Sequence, residues 1–432
     1  MTDQSAPQFF VAVRHPTSGA EERVDQSERV LSMSFEDTEA KADKLVLSID
    51  NYDLSQLDSP LWQPGNIVEF SFGYPGAMSP TREMKIQTVK GFNPLQVEAL
   101  GDETVFNRRM DTRASWENVK RSDVVKQIVA AYGFTAERVH ITDTKLIIDR
   151  ITQGGMTDLQ LIKSLAYREG FEFYVDFDGV HFHPRNLGQK PIREFTYFTD
   201  RTGDIISVSV EDHRVPGNAG KVTVAGRDPM NKETFKVSAD DKSTPRTVLA
   251  AERTRYTPDD TKDPRATADL SPALASEFVL ETAETTEAAA LRHAQGRFQK
   301  LDMRSVQITL QVLGDPLVLA KSILRINGLG ARFSGLYYVL SAKHDLGAGY
   351  VTTLKLRREG LNSAALEGPM KPTTKPTEQK VNTEKQPEPE PETVGREAGA
   401  VEVRYVIDER TGEKRAVQTV NYGRSSGTGD AK

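Results

Sequence analysis

TDLQLIKSLAYREGFEFYVDFDGVHFHP, residues 157–184, is the stretch whose punctuation decides the fold. Thr157 is placed to cap a helix, and Gln160 three residues later completes a reciprocal capping box. Leu159, Ile162, Leu165 and Ala166 then recur at the spacing that keeps one helical face apolar. Gly170 stands where a helix ends in a left-handed residue. Phe171, Phe173 and Val175 alternate with Glu172, Tyr174 and Asp176, the period of a strand with one buried face. Asp178-Gly179 predicts a two-residue turn with positive φ at both positions, and Val180–His183 returns as a strand to Pro184. The unit is helix, hairpin, stop, with no obvious chemistry in it.

On the N-terminal side, residues 8–100 read as short strands. Phe9, Val11 and Val13 alternate, as do Leu45, Leu47 and Ile49, and Val68, Phe70 and Phe72. Turn residues such as Gln63-Pro64-Gly65 and Tyr74-Pro75-Gly76 break the runs, which indicates a barrel or sandwich. Near Leu100 the texture changes. Ser122 is expected to cap a helix reaching Tyr132, with Val124, Val125, Ile128 and Val129 on one face and Gly133 closing it. With the 157–184 unit, this makes residues 101–190 a small α+β module.

After Pro191 β character returns, in 205–210, 221–225 and 234–237, while polar residues 238–272 read as a long loop. A helix is expected over 282–300, with Leu291, Ala294, Phe298 and Leu301 on its apolar side. Four strands follow, at 306–312, 322–326, 336–343 and 350–356. The predicted fold is mainly β with an α+β insertion: a first barrel-like domain over 1–100, the module over 101–190 and a second barrel-like domain over 191–362. Residues 361–400 hold six prolines and no aromatic residue. Such a segment cannot bury enough apolar area to offset its ordering entropy, so 363–395 reads as an extended linker. Val401, Val403, Tyr405 and Ile407 alternate again, and 396–432 reads as a β-hairpin arm too small to be stable alone.

Composition narrows the chemistry. The 432 residues suffice for two to four domains, and 37% hydrophobic with 27% charged residues is ordinary for a globular protein. A formal net charge of −6 gives no general reason for nucleic-acid binding. Zero cysteines remove disulfides, thiolate metal sites and cysteine nucleophiles together. The first residues lack the pattern of a secretory signal, and no apolar run reaches the roughly 18 residues of a membrane span.

Individual candidates fare poorly. His181 and His183 share one strand face but lack a visible third ligand, so a polar strand face is the plainer reading. Asp176 and Asp178 flank a turn, where Asp is favoured for backbone reasons. Gly328-Leu-Gly330-Ala-Arg-Phe-Ser-Gly335 misplaces the third glycine of a dinucleotide fingerprint and lies between strands. His344, beside Asp345, reads as a hydrogen-bonded structural histidine. Arg108, Arg109, Arg113, Lys120 and Arg121 are interspersed with Asp111, Glu117 and Asp123, which reads as a solvated, salt-bridged face. No catalytic, cofactor-binding or metal-binding residue is therefore expected. The abundance of strands, edges and an appended arm favours assembly over catalysis.

Three passages carry a family resemblance: residues 157–184, the helix sequence ALRHAQGRFQK at 290–300, and GDPLVLAKSILRINGLGARFSGLYYVLSAKH at 314–344 with GYVTTLKLRRE at 349–359. Together they resemble the late control D family, the baseplate hub proteins of contractile phage tails. They are similar also to the hub portion of VgrG from type VI secretion and to hubs of extracellular contractile injection systems. The resemblance covers residues 8–360. It implies two tube-protein-like β-barrel domains per chain and a homotrimer whose pseudo-six-fold ring meets a hexameric tail tube above and a trimeric spike below. VgrG-type members continue past this point into a neck and spike, whereas this chain turns to a Pro/Glu-rich linker. The spike is then a separate protein, and 396–432 is expected to bind it or a neighbouring baseplate, wedge or LysM-type adaptor protein. The implied location is a virion tail baseplate or extracellular injection particle, assembled in the bacterial cytoplasm. Two other readings stay open: a baseplate-associated cell-wall hydrolase, which would need a cleft carboxylate pair, and a β-rich carbohydrate-binding module, which would need aromatic platforms although only Trp62 and Trp116 occur.

Overall fold

A computed structural model describes residues 6–17, 20–107, 114–197, 204–212, 221–228, 230–240, 243–244, 249–253, 277–281, 284–363, 401–407 and 414–420. The chain is mainly antiparallel β, with helices α1 (Arg121–Ala130), α2 (Asp158–Glu169), α3 (Glu287–Asp302) and the single turn α4 (Gly330–Phe333). At α2 the capping box forms: the Thr157 hydroxyl accepts from the Gln160 amide at 3.2 Å, and the Gln160 side chain accepts from the Thr157 amide at 3.0 Å. Gly170 ends the helix at φ 68°. Leu161, Ile162, Leu165 and Ala166 are buried, so Leu161 fills the position assigned by spacing to Leu159, which is only partly buried.

Strands Phe171–Asp176 and Gly179–Pro184 pair in register from Phe171↔Pro184 to Asp176↔Gly179. The turn is shifted from the expected one: Phe177 and Asp178 are its central residues, and neither has positive φ. The Asp176 carboxylate accepts from the amides of Asp178 (2.9 Å) and Gly179 (3.2 Å), closing the turn through a side chain. Gly179, at φ 133°, is needed because a Cβ there would strike the Arg138 carbonyl.

Most strands belong to one 14-stranded sheet with two apolar cores on it. The first, around Phe35, Leu45, Leu47, Val68, Phe70, Phe72 and Val97, is built by strands between Gln8 and Leu100. The second, around Ile308, Leu310, Ile326, Tyr337, Val339 and Leu354, is built by strands between Arg193 and Arg358. A single long strand, Gly335–Leu346, fuses the two. It pairs with Tyr350–Arg358 on one side and, from Ser341↔Thr38 to Leu346↔Met33, with strand Val30–Thr38 on the other. The long path of the sheet ends in Ala20–Asp25 at one edge and Ile205–Asp212 at the other.

A third core, from Phe106 and Val124 to Phe182, lies among α1, α2 and the hairpin. A fourth packs α3 through Ala290, Ala294, Phe298 and Leu301 on the three-stranded sheet of 221–227, 234–240 and 277–281. The expected start of α3 moves: Thr286 caps it, accepting from the Ala289 amide at 3.3 Å, and Leu291 is on the exposed side. Ser122 does not cap α1. It is buried inside the first turn and its hydroxyl accepts from the Thr144 amide at 3.1 Å. Within the stretch read as a loop, Ala250–Arg253 is a strand paired with Gly360–Ser363. The arm does contain an antiparallel hairpin, Val401–Ile407 with Lys414–Val420; its turn and the Pro/Glu linker lie outside the described residues. No helix among the described residues is long and apolar enough to cross a membrane.

Candidate functional site

The chemically distinctive places are buried charges where the lobes meet. Asp37, at the end of strand Val30–Thr38, accepts from the Lys321 ammonium at 2.7 Å and the Ala320 amide at 3.1 Å. Lys321 reaches it from a left-handed backbone (φ 68°), and its ammonium also lies 4.5 Å from the Tyr174 ring centroid of the hairpin. One cation thus ties the first lobe, the second lobe and the module. Burial opposes the Asp37 charge, yet Lys321 holds its carboxyl below the usual range. Burial, then the neighbouring Asp37, push Asp43 well above it. Beside them Arg185 joins Glu39 and, at 2.9 Å, Glu172, which also accepts from the Tyr338 hydroxyl.

A second network sits between the helices. Arg121, 1% exposed, donates to Glu169 on α2 at 2.7 Å and to Glu284 before α3 at 2.8 Å. Arg168 (3.3 Å) and His293 (3.4 Å) approach Glu284, and Arg292 (3.1 Å) approaches Glu169. The charged sequence neighbours of Arg121 predict a solvated, salt-bridged face. Arg121 is instead one of the most deeply buried side chains, because two carboxylates converge on it across the helix contacts. Arg108, Arg109, Asp111 and Arg113 lie outside the described residues.

The other sequence candidates resolve individually. His181 binds Asp176 (3.0 Å) and stacks between His140 and Tyr174, with ring centroids 4.7 and 4.6 Å away. Stacked imidazoles do not point their ring nitrogens at one centre. His183 meets the Tyr174 hydroxyl (3.2 Å) and the Pro184 carbonyl (2.8 Å). Among the described residues no three His, Asp or Glu side chains gather as a metal site would require. The Gly328–Gly335 run forms the single turn α4 between two strands, and Arg358 donates to the Arg332 and Ser334 carbonyls there at 2.7 and 2.9 Å. Trp62 is buried and donates to Gln56 at 2.9 Å, so it offers no exposed platform.

His344 is fully buried in the first core, its Nδ1 2.8 Å from the Tyr350 hydroxyl and its ring stacked 6.0 Å from Phe35. Burial lowers its pKa from 6.5 to about 4. The unfolded chain therefore binds this proton more readily, and stability present above pH 6.5 drains as pH falls toward 4. Wild type is expected to lose about 3 kcal/mol more than His344→Asn between pH 7 and 4, read from urea unfolding. Equal losses would contradict the buried neutral imidazole.

Three solved structures share this fold along most of their length. The tail protein from Neisseria meningitidis MC58 is similar at TM-score 0.58 and 14% identity, covering 82% of this chain and 98% of that one. The 43 kDa tail protein of prophage MuSo2 from Shewanella oneidensis is similar at TM-score 0.55 and 13% identity, covering 83% and 100%. Prophage tail protein gp18 from Listeria monocytogenes EGD-e matches at TM-score 0.50 and 12% identity, covering 81% and 94%. Such identities establish a shared fold. The chain belongs to the Alg8 N-terminal domain family, whose model matches residues 47–348. No curated protein matches the sequence.

Proposed function

We propose that the chain is a structural baseplate hub of the late control D type, three copies of which close into a ring between a tail tube and a separate spike. The observation that carries this reading is the single sheet bearing two β cores, fused through Gly335–Leu346, in a fold shared along nearly the whole length of two solved tail proteins. Three such chains present six β units, which suits a six-fold tube above while keeping three-fold symmetry for a spike below. The edges at Ala20–Asp25 and Ile205–Asp212 are where pairing between copies would cover open strands. Residues 1–100, 101–190 and 191–362 divide into first barrel, module and second barrel in this account. The arm, 396–432, orders against the spike or an adjacent baseplate protein. The charge clusters act as struts, and no catalytic role is assigned to them.

The test is solution mass by light scattering, for the full chain and for a chain ending at residue 362, each alone and with its spike protein. A mass near three times 47.9 kDa, remaining trimeric on truncation, is the expected result. A monomer that persists with the spike present would overturn the proposal.

A further inference from the structure

Arg82 is a buried guanidinium that stands apart from the charge networks described above. It is 5% exposed, and its Nε and Nη2 are buried without a hydrogen-bond partner among the described residues. Its guanidinium is flanked by two rings, 5.1 Å from the Phe35 centroid and 4.9 Å from that of Phe177 at the hairpin tip. Buried arginines are ordinarily satisfied by carboxylates or carbonyls, as Arg121 is here and as the terminal nitrogens of Arg185 and Arg358 are. Of the nearby carboxylates, Asp37 is engaged by Lys321 and the Ala320 amide and Asp176 by His181 and the turn amides, while burial and the neighbouring Asp37 push Asp43 toward its neutral form. Lys321 is likewise spent on Asp37.

Arg82 also lines a cleft of about 260 Å³ where the three parts of the chain meet, with Tyr174, Gln189 and Lys321 beside it. Its rim carries three large apolar side chains facing solvent: Phe177 (45% exposed), Ile192 (38%) and Leu317 (51%). Large apolar side chains clustered on a surface mark protein-docking sites, and a guanidinium fork with free N–H groups is the partner a carboxylate takes.

We propose that this cleft receives an aspartate or glutamate side chain of a partner polypeptide, pairing it with Arg82 and seating its apolar neighbours on Phe177, Ile192 and Leu317. The ring described above is not needed for this, and the two readings fail separately.

The probe is a fluorescein-labelled pentapeptide, Gly-Leu-Glu-Leu-Gly, titrated into the full chain by fluorescence anisotropy beside its Gly-Leu-Gln-Leu-Gly counterpart. Saturable binding of the glutamate peptide is expected, at least about tenfold tighter than the glutamine peptide, as a charge-assisted pair requires. Arg82→Lys, which keeps the charge but loses the fork, should weaken it by a similar factor. Leu317→Glu lies on the exposed rim and leaves the core alone, and should weaken it by repulsion whether or not the Arg82 variant folds. Equal affinity for the two peptides, no saturation by about 1 mM, or binding unchanged in Leu317→Glu would each overturn the proposal.

Discussion

Arg121→Met is expected to destabilise the protein by about 3–5 kcal/mol, the cost of leaving buried charge without its counterion. Two carboxylates depend on this one guanidinium. Glu169 and Glu284 are 4% and 2% exposed at the side chain, so neither can recruit water in exchange. Arg168 and Arg292 touch the same carboxylates from positions about one-third exposed, and their pairing is screened and weaker. The control is the triple variant Arg121→Met, Glu169→Gln, Glu284→Gln, which removes both charges with their partner. It should recover most of the loss, because breaking a buried pair costs far more than replacing it whole. Urea unfolding measures both. A single variant within about 0.5 kcal/mol of wild type would mean that the network holds nothing together.

Gly296→Ala should reverse the usual sign of its substitution. In an exposed helix the change gains about 1 kcal/mol. In α3 the new methyl would lie 2.7 Å from both the Cα and the amide nitrogen of Gly170, at the end of α2. Neither helix can yield without disturbing a buried core, so a loss of about 1–3 kcal/mol is expected from overpacking. Gly133→Ala offers the comparison: its φ is 78° but nothing lies within 4 Å of the added carbon, so only backbone strain of about 1 kcal/mol applies. If the two variants melted alike, the glycine-to-glycine contact between α2 and α3 would not be the constraint described.

These two positions show what was legible in the sequence and what was not. Local rules read well: the Thr157–Gln160 capping box and the Gly170 terminus need only neighbours a few residues away, whereas the alternation of 171–176 fails at Glu172, which is buried against Arg185 and Tyr338. Long-range pairing did not. Arg121 was assigned to a solvated face because its sequence neighbours are charged, whereas its partners lie 48 and 163 residues away. One signal was available: Glu169 continues the apolar stripe of Leu165 and Ile162, and a carboxylate on a buried stripe demands a cation. Gly296 sat inside a quoted motif without a reason, since its reason is Gly170, on another helix. The turn at Phe177-Asp178 was misplaced by one residue because Asp176 closes it with a side chain, which dipeptide statistics do not register. Arg82 gave no signal at all, because its oddity is the absence of a partner in three dimensions.

In the proposed ring, three chains supply six β units. Class averages of the purified particle, viewed down its axis by negative-stain electron microscopy, test it most directly. A closed ring with three-fold symmetry and six peripheral densities of similar size is expected. Rings of another order, or isolated two-lobed particles that persist when the spike protein is added, would contradict it.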